Sequence, residues 1–176
     1  MSCTTLPTWI QRTRSLAPAL FTLAVLAAMF LSLAPQPAHA AKPFYLGKWK
    51  VITAEVAPWA KDGPVPDAAE SKTLLGAMIT LGAKEIRGPG SFPCKRPKYE
   101  VIEGSAEILF QGLLGEMHAK DSGVDPQKLA EQAGLQGNVF RTVITGCEFA
   151  VDFSFGSDPD LAAFALDNYI YRMKRQ

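Results

Sequence analysis

One histidine with acidic neighbours is the group of residues in this chain that best suits acid–base chemistry. His118 is the only histidine after residue 40, and it lies between Glu116 and Asp121. An imidazole beside carboxylates can act as a general base or bind a metal. No signature of a serine, zinc or cysteine hydrolase accompanies it, so we interpret residues 115–121 as an exposed polar connection. A hydrolase that uses His118 remains a lesser alternative, and we expect a non-enzymatic protein.

Three glutamates, Glu100, Glu103 and Glu107, recur at spacings of three and four residues. On a helix they would share one face and could resemble the carboxylate pair of a glycosidase, which needs a defined separation across the sugar. The residues around them favour an extended chain instead. We therefore interpret these glutamates as solvated charges.

Two cysteines, Cys94 and Cys147, remain once Cys3 is assigned to the leader described below. An isolated pair in an oxidising compartment predicts a disulfide, and two unpaired thiols are the alternative. With a single histidine, the pair supplies too few ligands for structural zinc. The glycines around Gly88 and Gly90 lack the order of a phosphate-binding loop, so we predict no metal and no cofactor.

The first forty residues have the pattern of an export signal. Arg12 and Arg14 precede an almost wholly apolar run at 16–33, and small residues at 38–40 suit a signal peptidase. A retained membrane anchor is the alternative, but prolines lie near the start of the run and just after it. We predict that residues 1–40 are removed, without stable membrane insertion afterwards, and that the protein is periplasmic or secreted.

Removal of the leader leaves 136 of the 176 residues, the ordinary size of one domain, at 41–176. The leader holds two of the 18 basic residues and none of the 17 acidic ones, so the mature charge is about −1. A nearly neutral chain without a basic run gives no reason to expect nucleic acid as a partner. We expect a monomer.

Short β-branched, aromatic or alternating segments separated by glycine and proline dominate the mature chain. They predict strands at 47–56, 75–81, 85–87, 99–103 and 147–155 and a returning strand within 161–175, with a bulge or tight turn at Asp167 and Asn168. Residues 106–114 fit a strand or a buried helical turn equally well. A proline-rich stretch at 62–67 predicts a loop, with a helical turn at 67–71.

Asp125 followed by Pro126 predicts the clearest helix, at 126–133, because an acidic N-cap and proline at the first position both favour a helix start. In the strand at 147–155, alternation predicts that Cys147, Phe149, Val151, Phe153 and Phe155 share the buried face. Many short strands with one or two short helices indicate an antiparallel barrel or strongly curved sheet, so the fold class is mainly β.

The tripeptide Gly47-Lys48-Trp49 at the start of the first strand resembles the Gly-x-Trp signature of lipocalins and their calycin-type barrel relatives. The resemblance implies a lipocalin-like β-barrel whose tryptophan closes one end. It also implies a basic side chain from near the last strand that covers the tryptophan, for which Arg172 and Lys174 are the candidates.

The abundance of aromatic residues leaves two arrangements open. If some of them line a cavity, the protein binds a small hydrophobic ligand, with these wall residues: Trp49, Phe149, Phe153 and Tyr169. If they interdigitate, as in many small barrels, the core is solid and function moves to the loops. In either case we expect an exported binding protein.

The second arrangement predicts an envelope protein-interaction module or an enzyme inhibitor on the same scaffold. Lys95, Arg96 and Lys98 form the densest basic patch, next to the predicted disulfide, and Trp59 lies in a second loop. These two loops would then be the contact surfaces.

Overall fold

The structure is a computed structural model that describes residues 41–60, 68–149 and 151–176. The predicted signal peptide at 1–40 and the predicted loop at 62–67 lie outside the described residues. The strands are β1 (Gly47–Val56), β2 (Met78–Leu81), β3 (Glu85–Arg87), β4 (Cys94–Lys95), β5 (Glu100–Gly104), β6 (Phe140–Ile144), β7 (Phe153–Phe155), β8 (Leu161–Leu166) and β9 (Tyr169–Arg175). The helices are α1 (Ala68–Leu74), α2 (Leu113–Lys120) and α3 (Pro126–Gln132), with 3-10 turns at Pro58–Ala60 and Ala106–Ile108.

All nine strands of the described residues belong to one antiparallel sheet in the order β4-β3-β2-β1-β9-β8-β7-β6-β5. Most neighbours in this order are also consecutive along the chain, and the exception is the pairing of β1 with β9. The two edge strands, β4 and β5, are themselves consecutive, so residues 96–99 connect one edge of the sheet to the other. The sheet forms a curled half-barrel, which confirms the predicted mainly β fold class.

The larger core lies on the concave face of the sheet. Phe92, between β3 and β4, contacts Phe153 of β7, although several strands separate them in the sheet order. Such a contact requires the sheet to curl toward the face that carries these rings. Aromatic side chains fill much of this face, since Trp49, Phe155 and Phe164 are also fully buried there.

A second core covers the convex face, where α2, α3 and the 3-10 turn at Ala106–Ile108 pack on the sheet. Asp125 accepts hydrogen bonds from the backbone N–H groups of Gln127 and Lys128 at 2.9 and 3.3 Å, and Pro126 occupies the first turn of α3. These contacts are the N-cap that the sequence predicts, and the helix at 126–133 is confirmed as Pro126–Gln132.

The turn between β8 and β9 is confirmed as a tight turn. Asp167 and Asn168 have φ angles of 48° and 66°, and the strands on either side pair from Leu166 with Tyr169 onward. Positive φ at both central residues is what a two-residue hairpin loop with the native twist requires.

Besides the strand predicted at 147–155, two segments differ from their predicted structure, and a third, which the sequence leaves open, takes its helical alternative. The strand predicted at 75–81 begins only at Met78, because α1 runs to Leu74 and the chain then turns through Gly76, whose φ is +79°. The open segment at 106–114 forms a 3-10 turn and the start of α2. Residues 115–121, predicted to be an exposed connection, lie mostly within α2.

The predicted strand at 147–155 is the largest difference. Among the described residues of this range, only Phe153–Phe155 forms a strand, and all three of these residues are buried, including Ser154. Ser154 faces the second core because helices cover the convex side of the sheet, which the alternation of residues in β7 could not indicate. The helices of the described residues have seven or eight residues, and none has the length and apolar character needed to cross a membrane.

Candidate functional site

The four predicted wall residues lie at different levels of the half-barrel. In the pairing of β1 with β9, Trp49 lies opposite Arg175 and Val56 lies opposite Tyr169, so Trp49 and Tyr169 mark opposite ends of the strands. Phe149 and Phe153 both lie near Phe92, with ring centres 5.3 and 6.5 Å from that of Phe92. The structure therefore brings Phe149 and Phe153 together and places Trp49 apart from them.

Trp49 belongs to an end of the half-barrel that is covered by the chain before β1. Its Nε1 donates a hydrogen bond to the Tyr45 carbonyl oxygen at 3.0 Å, and its ring lies 5.5 Å from that of Phe155. The Phe44 ring packs edge-on against Phe155 at 5.1 Å. We call this the covered end.

Arg175, not Arg172 or Lys174, is the basic residue over Trp49, so the predicted pair of candidates is wrong. The Arg175 guanidinium carbon lies 4.2 Å from the centre of the Trp49 ring. Arg175 faces Trp49 directly in the sheet register, whereas Lys174 and Arg172 point to the convex face. Arg172 instead donates to the Thr53 hydroxyl at 2.8 Å.

Arg175 also joins several parts of the chain at the covered end. Its guanidinium donates to the carbonyl oxygens of Leu46 and Phe44, and to that of Pro159 at 3.3 Å. Its Nε lies 3.3 Å from a carboxylate oxygen of Asp160. This one side chain therefore ties the lead segment and the turn before β8 to the last strand.

The middle of the concave face is occupied by interlocking rings. Phe164 stacks on Tyr171 with ring centres 4.9 Å apart, and Phe153 meets Phe164 at 5.7 Å. Phe92 completes the cluster at 5.4 Å from Phe164. The aromatic residues in this part of the protein thus interdigitate.

A recess opens at the other end of the strands, above Phe92. It has a volume of about 310 Å³ and is lined by α1, by the turn after β3 and by the end of β8. We call it the mouth pocket, and its lining residues are Ala69, Thr73, Leu74, Pro89, Gly90, Ser91, Phe92 and Leu166. Among them Leu74 and Phe92 are buried, so the pocket has an apolar floor.

Sequence reasoning missed this pocket because its walls come from three segments that are distant in sequence. Phe92 is buried, and its backbone N–H donates to the Pro89 carbonyl oxygen at 3.2 Å within the turn after β3. A Cβ atom at Gly88 would lie 2.8 Å from the Cβ of Phe92, so only glycine fits this turn. The sequence signal that could have indicated this pocket was an aromatic residue, Phe92, shortly after Gly88-Pro89-Gly90.

The predicted disulfide between Cys94 and Cys147 is confirmed, with a Cα–Cα distance of 6.1 Å. It joins the β4 edge of the sheet to the segment after β6, beside the β5 edge. The residues that follow Cys94 are attached at further points. The backbone N–H groups of Arg96 and Lys98 donate to the carbonyls of Lys84 and Thr145, both at 2.8 Å.

Tyr99 ends this attached segment, and its hydroxyl donates to the Gly82 carbonyl at 2.9 Å. Burial, with a smaller contribution from nearby Tyr45, holds the pKa of Tyr99 well above its usual range. The phenol therefore remains a hydrogen-bond donor throughout the physiological pH range. We call residues 94–98 the basic loop, since Lys95, Arg96 and Lys98 are all exposed on it.

The side chains of the histidine cluster have structural partners. The Nδ1 atom of His118 lies 2.7 Å from the Val124 carbonyl oxygen, which can only accept, so this nitrogen donates. Glu116 forms an ion pair with Lys120 at 3.8 Å, and Asp121 accepts from the Gly123 N–H at 2.9 Å. Among the described residues, no group of three or more histidine, cysteine or acidic side chains is arranged to hold a metal ion.

The glutamates at spacings of three and four are not on one helix. Glu100 and Glu103 lie on β5, and Glu107 lies in the following 3-10 turn. All three are exposed, as predicted for solvated charges. Trp59, expected in a contact loop, is half buried in a 3-10 turn, with its ring 5.7 Å from that of Phe110.

Comparisons of this chain with protein-family models, with curated proteins and with solved structures found no match.

Proposed function

We propose that residues 41–176 act, after export, as a non-enzymatic binding protein with a lipocalin-like body. Three observations support this. Trp49, near the start of the first strand, is covered by Arg175 of the last strand. The first and last strands pair, as they do when an up-and-down sheet curls on itself. A disulfide fits an oxidising compartment such as the periplasm or the cell exterior.

The mouth pocket is the proposed site for a small hydrophobic ligand. The observation that carries this proposal is an apolar recess of about 310 Å³ whose floor, Phe92, rests on a packed cluster of rings. Ligand sites are typically concave, mostly apolar and formed before binding. An apolar cavity of about 150 Å³ takes a benzene-sized molecule, so this pocket suits a two-ring or short-chain ligand.

Two of the predicted wall residues contribute indirectly to this site. Phe149 and Phe153 pack against Phe92, with ring centres 5.3 and 6.5 Å from it. Leu166 lines the pocket at the end of β8, and Tyr169 is its partner across the hairpin. Trp49 has no part in the pocket and stabilises the opposite end.

Titration with N-phenyl-1-naphthylamine, a neutral apolar fluorophore, tests the site. The variant Ala69→Phe places a ring at the pocket wall from an exposed position on α1, so it should remove saturable fluorescence enhancement. The matched control is Gln132→Phe, which fills a different recess on the convex side. Absence of saturable binding, or an equal loss in both variants, would contradict the proposal.

A second candidate function uses the basic loop as a contact surface for an acidic region of another protein, as in an envelope interaction module or an enzyme inhibitor. The loop is held by the disulfide and by two backbone hydrogen bonds, so little conformational entropy would be lost on binding. No ion pair among the described residues contains Lys95, Arg96 or Lys98. All three side chains are exposed, so their charges face solvent.

Charge-reversal variants of the basic loop test this second function separately from ligand binding in the mouth pocket. Lys95→Glu with Arg96→Glu should abolish recovery of a specific acidic protein from an envelope extract, whereas Lys120→Glu with Lys128→Glu should leave it unchanged. Both pairs change the net charge equally, and the control residues lie on the helices of the convex side. Equal recovery by all three forms would exclude the basic loop as the contact.

A further inference from the structure

β5 is an edge strand with one side open. It pairs with β6 through five residue pairs, from Glu100 opposite Ile144 to Gly104 opposite Phe140. It stands last in the sheet order, and no strand of the described residues pairs with its other side. An edge of this kind presents backbone N–H and C=O groups that can pair with another chain.

The centre of β5 is apolar and exposed. Val101 is 44% exposed and Ile102 is 39% exposed, and because they are adjacent on a strand they point to opposite faces. Val139, just before the residue that pairs with Gly104, is 56% exposed. Edge strands in most proteins carry lysine, proline or a bulge at such positions. Here β-branched side chains remain exposed on both faces.

Acidic residues stand on either side of this apolar centre. Glu100 and Glu103 are exposed, and neither belongs to an ion pair among the described residues. Arg141 lies opposite Glu103, but its guanidinium carbon is 3.9 Å from the centre of the Phe44 ring. Lys98, two residues before Glu100, is the nearest exposed cation along the chain.

These charges argue against a second copy of the chain as the occupant. In symmetric antiparallel pairing of two β5 strands about Ile102, Glu103 of each copy would face Val101 of the other, and Glu100 would face Gly104. Neither carboxylate would then meet a cation across the new strand pair. A partner with cations at these two positions would instead gain from both.

We propose that β5 accepts an extended segment of another protein as an added strand. The sequence pattern of that segment is basic, apolar, apolar, basic. Its backbone supplies hydrogen bonds to the open edge, its apolar pair covers Val101 and Ile102, and its cations fix the register on Glu100 and Glu103. This is β-strand addition, in which the main chain gives affinity and alternate side chains give specificity. It is independent of the mouth pocket.

The probe for this surface is the peptide acetyl-Thr-Lys-Val-Ile-Lys-Thr-amide, and amide hydrogen exchange of the oxidised protein is the measurement. Saturating peptide should slow exchange in β5, and titration monitored by NMR should give the dissociation constant. Glu100→Lys with Glu103→Lys should weaken binding by about tenfold or more, because two attractive cross-strand pairs become repulsive. The same variant should gain binding of acetyl-Thr-Glu-Val-Ile-Glu-Thr-amide, which also shows that it is folded.

The matched control is Glu116→Lys with Glu131→Lys, which makes the same change of charge on α2 and α3. It should bind the basic peptide within about twofold of wild type, since exposed charges beyond a Debye length are screened. If the β5 amides exchange equally fast with and without the peptide at its highest concentration, the proposal is overturned. An equal loss in the control, or no gain for the acidic peptide, would also overturn it.

Discussion

Removal of the disulfide by Cys94→Ser with Cys147→Ser should lower the free energy of unfolding by about 4 kcal/mol. The two cysteines are 53 residues apart in sequence, and the loop-entropy relation gives about 4 kcal/mol for a loop of that length. Both cysteines are half buried and serine is close to cysteine in size, so the substitutions themselves contribute little. Most of the loss should come from the greater freedom of the unfolded chain.

The position of the disulfide gives this change a structural consequence as well. Cys94 is on the edge strand β4, and no β4–β5 strand pairing is present in the described part of the chain. Without the covalent link, the edges are held by the connection at 96–99 and by hydrogen bonds such as that from Lys98 N–H to Thr145. The Lys98 amide should therefore exchange faster in the double variant than in the oxidised protein.

Urea denaturation of the oxidised wild type, the reduced wild type and the double serine variant measures the effect. With an m-value of about 2 kcal/mol/M, a loss of about 4 kcal/mol moves the midpoint by about 2 M. The reduced wild type should agree closely with the serine variant. A loss below about 1 kcal/mol would refute the reasoning, since the cross-link would then constrain neither the unfolded chain nor the sheet edges.

Three further changes test individual contacts. Arg175→Ala should lower the unfolding free energy by about 2 kcal/mol, through loss of its stacking on Trp49 and its hydrogen bonds, whereas the exposed Lys174→Ala should change it by less than about 0.5 kcal/mol in urea denaturation. Burial raises the pKa of Asp152, so the folded state favours the protonated carboxyl and loses stability as pH rises through that pKa. Asp152→Asn should therefore raise the melting temperature at pH 7, with the gain gone below about pH 4. Asp125→Ala should cost about 1 kcal/mol through loss of the α3 cap, measured by urea denaturation.

Each of these has a contradicting result. Equal effects of Arg175→Ala and Lys174→Ala would mean that the guanidinium does not stabilise the covered end. A gain from Asp152→Asn that persists unchanged at pH 3 would have to arise from something other than ionisation. An unchanged stability on loss of Asp125 would mean that α3 is held by packing alone.

Local signals explain which parts of the fold could be predicted. The strand at 47–56 and the helix start at Asp125 and Pro126 are encoded by neighbouring residues, and the structure places both where they were expected. The turn at Asp167 and Asn168 also depends on the two residues themselves. The cysteine pairing followed from counting, because only Cys94 and Cys147 follow the predicted leader.

Long-range register explains the wrong assignment of the cation over Trp49. β1 and β9 are the first and last strands of the described residues, so no hairpin turn fixes their alignment. A bulge between Val51 and Thr53 also shifts their pairing by one residue. A shift of one residue exchanges the two faces of a strand. The choice of Arg175 was therefore fixed by tertiary pairing.

Packing on the second face explains the remaining differences. Ser154 alternates with Phe153 and Phe155, so the sequence pattern leaves it on the exposed face of the strand, but helices over the convex face bury it. The mouth pocket is similarly a tertiary feature, since α1, the Phe92 turn and the end of β8 meet only after the sheet has curled. A periodic pattern shows that a face is buried but does not show what covers it.

The most direct measurement of ligand binding in the mouth pocket is methyl NMR of the oxidised protein during a naphthalene titration. The Leu74 and Leu166 methyl signals should shift and reach saturation, because both side chains line the pocket. The Leu129 and Ile170 methyls, in the recess on the convex side, should stay unchanged. Shifts confined to Leu129 and Ile170, or no saturable shift at Leu74 and Leu166, would contradict an apolar ligand site at the mouth of the half-barrel.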